Sequence, residues 1–169
     1  MLRPLLPYGH PTVHTPAVPV TDMNAAVRAL VADMVETMHA APGIGLAAPQ
    51  IGVGLRVFVV DLSAGRRPGE VLTFVNPEWV HRDGLQLEEE GCLTAPGLSA
   101  TVARAARAVL RASTVDGQSF ELEGTGVLAR AFQHEMDHLD GTLFIDRLRG
   151  LQRHRLRRQA ARLPPRTGA

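Results

Sequence analysis

From Val27 onward, apolar residues recur at three- and four-residue steps through Leu30, Val31, Met34, Val35 and Met38, the spacing of one buried face of a helix. Thr21 or Asp22 is the expected N-cap, and "APG" closes the pattern near Pro42 and Gly43. Before this helix, "PYGHPTVHTPAVPVTD" is dense in proline and short polar residues and is expected to run extended over the surface. After it, "GIGLAAPQIGVG" holds four glycines and a proline in twelve residues, a loop whose backbone can approach another group closely. "LRVFVVDL" then reads as a buried β-branched strand, followed by strand candidates "VLTFVN" and "EWVHRDG". "AVLRAST" and "SFELEG", joined through Asp116-Gly117, carry a hairpin signal.

Thr125 or Gly124 opens a second helix, with Val127, Leu128, Ala131, Phe132 and Leu139 apolar and Gly141 where a C-terminal cap belongs. A last, Arg-rich helical segment covers roughly 148 to 162, and "PPRTGA" is expected to fray. The pattern predicts an α+β fold: antiparallel β-sheets packed around a central helix, with a helix towards each end of the chain. One domain over 1–169 suits 169 residues with 45% hydrophobic content, residues 147–169 forming the Arg-rich helix and tail.

Charge changes this picture in two ways. All 18 basic residues are arginine, so lysine Schiff-base chemistry and a P-loop lysine are excluded. The net charge of +1 also hides an asymmetry, because residues 147–169 carry 8 arginines and no acid while residues 1–146 carry 10 arginines against 17 acids, a balance of −7. No apolar run approaches the roughly 20 residues of a membrane span, and "MLRPLLPYGHP" lacks the apolar core of a signal peptide, which points to the cytoplasm. The single cysteine, Cys92, excludes an internal disulfide framework.

Candidate chemistry centres on "QHEMDHLDG", residues 133 to 141. On a helix His134 and His138 project from one face a turn apart, fit to hold a metal, with Glu135 beside them as a general base. The bland alternative is a helix with one hydrogen-bonded histidine and two exposed polar residues. Two ligands do not complete a catalytic site, and Cys92 in "EEEGCLTAPG" is the candidate third. A lone cysteine is ordinarily small core filler, but Gly91, Pro96, Gly97 and three consecutive glutamates are poor core surroundings. A thiolate and two imidazoles leave one position for water, as in a hydrolytic centre.

"GIGLAAPQ" (43–50), "EGCLT" (90–94) and "QHEMDHLDG" (133–141) resemble, in order and spacing, the three signature motifs of the peptide deformylases, and the resemblance extends over essentially the whole chain. It implies a metal-dependent hydrolase that removes the formyl group from the N-terminal formylmethionine of nascent polypeptides and releases formate. It also implies one ion per chain, Fe(II), with Zn, Ni or Co able to substitute. The metal ligands would be Cys92, His134 and His138, the general base Glu135, and the groups polarising the formyl carbonyl the Gln50 amide and the Leu93 N–H. Read without its neighbours, Gln50 is a surface loop amide. The methionine pocket would fall to Ile44, Val127, Arg130 and Ala131, with the peptide lying as an added strand beside the loop around Gly43 and Gly45. Arg130 either lines that pocket with its stem or faces solvent. Thr94 stands where the family usually has serine, and Ser99 near where it often has an arginine that steadies the peptide, which puts substrate affinity in question. Arg104 is retained downstream.

The tail "RLRGLQRHRLRRQAAR" is either a solvated helix or a surface that docks on an acidic polymer, and the resemblance makes the ribosome the obvious one. Leu156, Ala160 and Leu163 form a weak apolar stripe, which leaves a membrane surface or nonspecific RNA open as well. Two rivals stand beside the main reading. A His-Glu-x-x-His zinc peptidase would need a third Glu or His ligand, for which Asp146 is the one carboxylate beyond the motif's own loop. A catalytically weak, ribosome-associated relative would keep the fold without the turnover.

Overall fold

The computed structural model describes residues 1–164, so most of the expected fraying tail lies outside the described residues. Strand β2 (Val57–Val60) explains the architecture, because all four of its residues are buried. Phe58 and Val60 point into one core cluster while Val57 and Val59 point into another, so both faces of the sheet are covered and the strand reads as a continuous apolar run. On one side lies helix α1 (Ala25–Ala40), where Met34 and Met38 are fully buried against Leu46, Val57 and Val75. Burying each such side chain stabilises by about 2 kcal/mol. On the other side lies helix α2 (Gly126–Leu139), where Phe132, Met136 and Leu139 meet Phe58, Phe74 and Leu110. Phe74 stacks on Phe58 at 4.5 Å and meets Phe132 edge-on at 5.1 Å.

The sheet between the helices has the antiparallel order β1-β2-β3-β6-β7, with β1 Gly45–Ala47, β3 Leu72–Asp83, β6 Arg107–Ser113 and β7 Ser119–Thr125. The β6–β7 hairpin forms as its turn predicts, pairing Ser113 with Ser119. Several expectations are corrected. "VLTFVN" and "EWVHRDG" are one strand, β3, interrupted by an irregularity between Val75 and Glu78. Asn76 there has φ 50°, and its side-chain amide bonds both the N–H and the C=O of Val20, tying the N-terminal segment to the sheet. Pro77 falls in the same irregular stretch, where a missing N–H does no harm to the ladder.

The N-cap of α1 is Asn24, not Thr21 or Asp22; its Oδ1 accepts from the N–H groups of Ala26 and Val27 at 2.9 and 3.2 Å. The glycine-rich loop contains β1 and a 3-10 turn over Ala48–Ile51, because Leu46 and Ala47 are buried and pair with β2. A 3-10 turn over Pro11–His14 interrupts the extended N-terminal segment.

Neither strand of the second, smaller sheet was among the expected strands: β4 (Gln86–Gly91) pairs antiparallel with β5 (Ser99–Arg104). Its inner residues Ala100 and Val102 pack with Phe144, Ile145 and Leu148 against helix α3 (Gly150–Ala160). Leu156 and Ala160 are buried in that cluster, with Leu163 packed partly against it. The apolar stripe of α3 is therefore occupied within the chain and is not presented to a membrane. No helix of the described residues is long and apolar enough to cross one.

Candidate functional site

Helix α2 is buried almost all round from Ala129 to Leu139, yet it carries Arg130, Gln133, His134, Glu135, Asp137 and His138. Buried polar groups must be partnered, and nearly all of these are. The Gln133 Oε1 accepts from the Ala105 N–H, and its amide donates to the Ala105 and Ala129 carbonyls. Two atoms are left over among the described residues: Glu135 Oε2 and His138 Nδ1.

Cys92, His134 and His138 converge, their ligand atoms all within 4.8 Å of one another. The Cys92 Sγ lies 3.2 Å from His138 Nε2, which lies 3.2 Å from His134 Nε2. Burial works against a charged sulfur here, but the two imidazoles outweigh it and hold the Cys92 thiol well below its ordinary pKa. The Thr94 N–H also approaches this sulfur at 3.4 Å. One sulfur and two imidazole nitrogens fit a single divalent ion, and three protein donors leave a fourth position of a tetrahedral set for water or substrate.

The support beneath these ligands is ionic and was missed in the sequence. His134 Nδ1 bonds Glu90 Oε1 at 2.6 Å, which fixes the ring with Nε2 towards the cluster. Glu90 also accepts from Arg104 Nη2 at 2.6 Å and Arg130 Nη1 at 2.6 Å, and Arg104 Nη1 reaches Asp137 Oδ2 at 2.6 Å. Asp137 closes the chain on Arg147. Burial opposes ionisation of Glu90, but His134 and Arg104 prevail and hold its carboxyl far below the usual range. The three glutamates thus divide: Glu88 and Glu89 are exposed, whereas Glu90 is buried because two guanidinium groups and an imidazole meet it. Arg130 is correspondingly buried and does not face solvent; its Nη2 donates to the Val102 carbonyl and its Nε to Gln86.

Glu135 is buried beside the ligands, and burial pushes its carboxyl up to about 7 against the pull of His134 and His138. A Cβ at position 45 would collide with Glu135 Oε1, so only glycine lets β1 come this close. Gln50 is buried, not on the surface; its Oε1 accepts from the Ala47 N–H at 2.8 Å while its Nε2 donates to Thr94 Oγ1 at 3.1 Å and lies 3.5 Å from Cys92 Sγ. The Thr94 hydroxyl thus orients that amide. No hydrogen bond engages the Leu93 N–H among the described residues. Asp146 stands apart from the cluster, accepting from the Leu143 N–H and from Arg157, so the carboxylate a peptidase reading required is committed elsewhere.

A cavity of about 840 Å³ opens onto this cluster. Gly43, Ile44 and Gly45 line it where the chain enters β1, Glu88 to Gly91 from β4 with Cys92 just beyond its end, and Val127, Arg130, Ala131, His134 and Glu135 from α2. All five residues expected to bind substrate, Ile44, Val127, Arg130 and Ala131 around the methionine and Gly45 beside the peptide, lie in its wall. Ser99 lies outside that lining and its hydroxyl bonds Glu89 Oε1.

Comparison with known proteins gives a consistent result. The family described as Polypeptide deformylase matches residues 2–154. The chain is 52% identical over 153 residues to the peptide deformylase of Acidobacterium capsulatum, covering 90% of each. It superposes on the crystal structure of a peptide deformylase from Legionella pneumophila with a TM-score of 0.90 at 40% identity, covering 97% of this chain and 100% of that one. The peptide deformylase of Synechococcus elongatus, solved in complex with actinonin, gives a TM-score of 0.86 at 35% identity, covering 90% and 84%.

Proposed function

The chain belongs to the polypeptide deformylase family, and from that premise we propose how its own residues perform the reaction. The enzyme is a metal-dependent hydrolase that removes the formyl group from the N-terminal formylmethionine of nascent polypeptides and releases formate. The observation that carries the assignment of roles is the buried, unpartnered Glu135 Oε2 beside Cys92, His134 and His138 at the head of the cavity.

Cys92, His134 and His138 would hold the ion, which when bound would supply Lewis acidity and make water a competent nucleophile near neutral pH. Glu135, its carboxyl raised to about 7, takes the proton of the attacking water and delivers it to the leaving amine. As the formyl carbon becomes tetrahedral, negative charge grows on its oxygen. The Gln50 Nε2–H and the Leu93 N–H are the donors that meet it, each of a kind worth about 2.7 to 4 kcal/mol in a fixed site. Gln50 needs no reorganisation, because Ala47 and Thr94 already hold both ends of its amide. Ile44, Val127 and Ala131 present apolar surface to the methionine, while Arg130 contributes its stem and keeps its charge on Glu90. The peptide runs beside Gly43 to Gly45 as an added strand.

Fe(II) is the ion proposed for the cell, with Zn, Ni or Co fitting the same donors; a thiolate with two imidazoles supports this choice together with the family likeness. The whole chain, 1–169, is read as one deformylase domain working in the cytoplasm on emerging chains. The exposed arginines 153, 155, 158 and 162 of the C-terminal helical region support docking on the ribosome.

Anaerobically purified protein loaded with Fe(II) or Ni(II) is expected to release formate from a formyl-Met tripeptide and to leave unformylated peptides intact. A fully metallated enzyme that releases no formate would overturn the reading.

A further inference from the structure

The two groups proposed to meet the formyl oxygen come from separate places in the chain. Gln50 lies on the 3-10 turn over Ala48–Ile51, and Leu93 in the loop after β4. Among the described residues no main-chain hydrogen bond joins that turn directly to that loop, and the side-chain hydrogen bonds between them run through Gln50, whose Nε2 meets Thr94 Oγ1 and Cys92 Sγ. The two backbones are bridged instead by the N-terminal segment. The Leu6 N–H donates to the Gln50 carbonyl at 2.8 Å, and the Tyr8 N–H donates to the Thr94 carbonyl at 3.0 Å. In an extended stretch alternate N–H groups point to the same side, so residues 6 and 8 serve two acceptors while residue 7 faces away. Residue 7 is proline, whose missing N–H is no loss there and whose ring fixes φ near about −65°, which holds the two donors at one spacing. Both ends of the bridge are anchored. Leu5 is buried in the cluster that holds Ala48 and Ile51, and Tyr8 packs against the cluster that holds Ala95. The chain turns at once, the His10 N–H donating to the Pro7 carbonyl at 3.1 Å with Gly9 at φ 93°.

We infer that Leu6 and Tyr8 are positioning residues for the reaction: through main-chain N–H groups spaced by Pro7 they fix the separation of Gln50 from Leu93 and so aim both donors at one oxygen. The inference rests on the roles given above to Gln50 and Leu93. Losing such a donor outright costs about 10² to 10³ in kcat, and a misplacement of about 1 Å costs about 10². Removing the Tyr8–Thr94 bond lets the loop shift by less than that, so a loss of about tenfold in kcat is the scale expected.

The test compares Tyr8→Pro with Tyr8→Ala in the full, metal-loaded chain. Proline suits the second position of a turn, so Tyr8→Pro removes the N–H and leaves the turn, while Tyr8→Ala removes the same ring and keeps the N–H. With formyl-Met-Ala-Ser, kcat per bound ion is expected to be about tenfold lower in Tyr8→Pro than in Tyr8→Ala, with KM and metal content of the two within about twofold. In a Gln50→Ala background one donor remains and a spacing between two has no meaning, so there the pair is expected to agree within about twofold. Pro7→Gly keeps both N–H groups and loosens their spacing; it is expected to lose about threefold in kcat, and nothing further without Gln50, and it decides the matter if Tyr8→Pro does not fold. Equal kcat in Tyr8→Pro and Tyr8→Ala, a difference that persists in full without Gln50, or a difference confined to metal content would overturn the inference. Gln50→Ala alone tests the level beneath: an unchanged kcat there removes Gln50 from the donors and the reading of the site fails, whereas a loss of about 10² or more leaves only the N-terminal bridge at stake.

Discussion

Helices α2 and α3 are both rich in charged or ionisable side chains and place them oppositely. In α2 the polar groups point inward, and Arg130, His134, Asp137 and their partners form a buried chain of contacts from the proposed metal ligands to Arg147. In α3 the apolar residues Leu156 and Ala160 point inward, and Arg153, Arg155 and Arg158 stand in solvent. The difference shows what charge is for in each. A buried ion pair stabilises little over an apolar replacement of the same shape, but removing one partner is severe. The α2 network thus holds ligands in one geometry, whereas the α3 charges set what the surface attracts.

The largest expected effects lie at the head of α2. Cys92→Ala should lose the ion and with it turnover, whereas Glu135→Ala should keep the ion and lose about 10² to 10⁴ in kcat. Metal content measured beside formate release tells these apart; unchanged metal affinity in Cys92→Ala would remove the sulfur from the ligand set. Next comes Glu90→Ala, which takes away Arg130's carboxylate partner and one of the two that meet Arg104, and should cost about 3 to 5 kcal/mol in denaturant unfolding. Metal affinity there should fall about 10- to 100-fold, because His134 loses its acceptor.

Asp61 asks whether burial or the metal neighbourhood sets such effects, since it is buried and its carboxylate bonds none of Cys92, His134 and His138. Burial would raise its carboxyl, but the Ser63 hydroxyl, the Gly65 N–H and His39 pull it from 3.8 down to about 2. A depressed folded pKa gives stability that is fully present above about pH 4 and is lost as pH falls towards 2. Calorimetry should show the Tm of the wild type falling across that window and that of Asp61→Asn, lower at neutral pH, staying flatter. The smallest effect is expected for Arg155→Gln with Arg158→Gln. Stability should change by no more than about 0.5 kcal/mol, and tripeptide turnover should be unaltered, which marks these charges as external to both fold and chemistry.

Periodicity revealed α1, α2, β2 and the β6–β7 hairpin because each has a repeating apolar face or a defined turn. Strands β4 and β5 escaped because "QLEEEG" shows no apolar alternation; the residue turned inward from it is Glu90, whose burial depends on arginines 14 and 40 positions away in sequence. No local pattern encodes such a partner. The same blindness made three adjacent glutamates read as poor core surroundings, although Glu90 among them is buried. His134, His138 and Cys92 were legible because their spacing and scarcity are themselves a signal, while the orientation of Gln50 by Thr94 and Ala47 is a property of the folded loop alone.

Cys92 belongs to the loop joining β4 and β5, and both histidines belong to α2, so the ligand set spans the junction between the small sheet and the central helix. An ion bound there would tie the two together, and opening that junction far enough to separate sulfur from nitrogen would release it. Its escape to a chelator would then keep time with a local unfolding step, and the rate of metal loss becomes a clock for how frequently the small sheet parts from the helix.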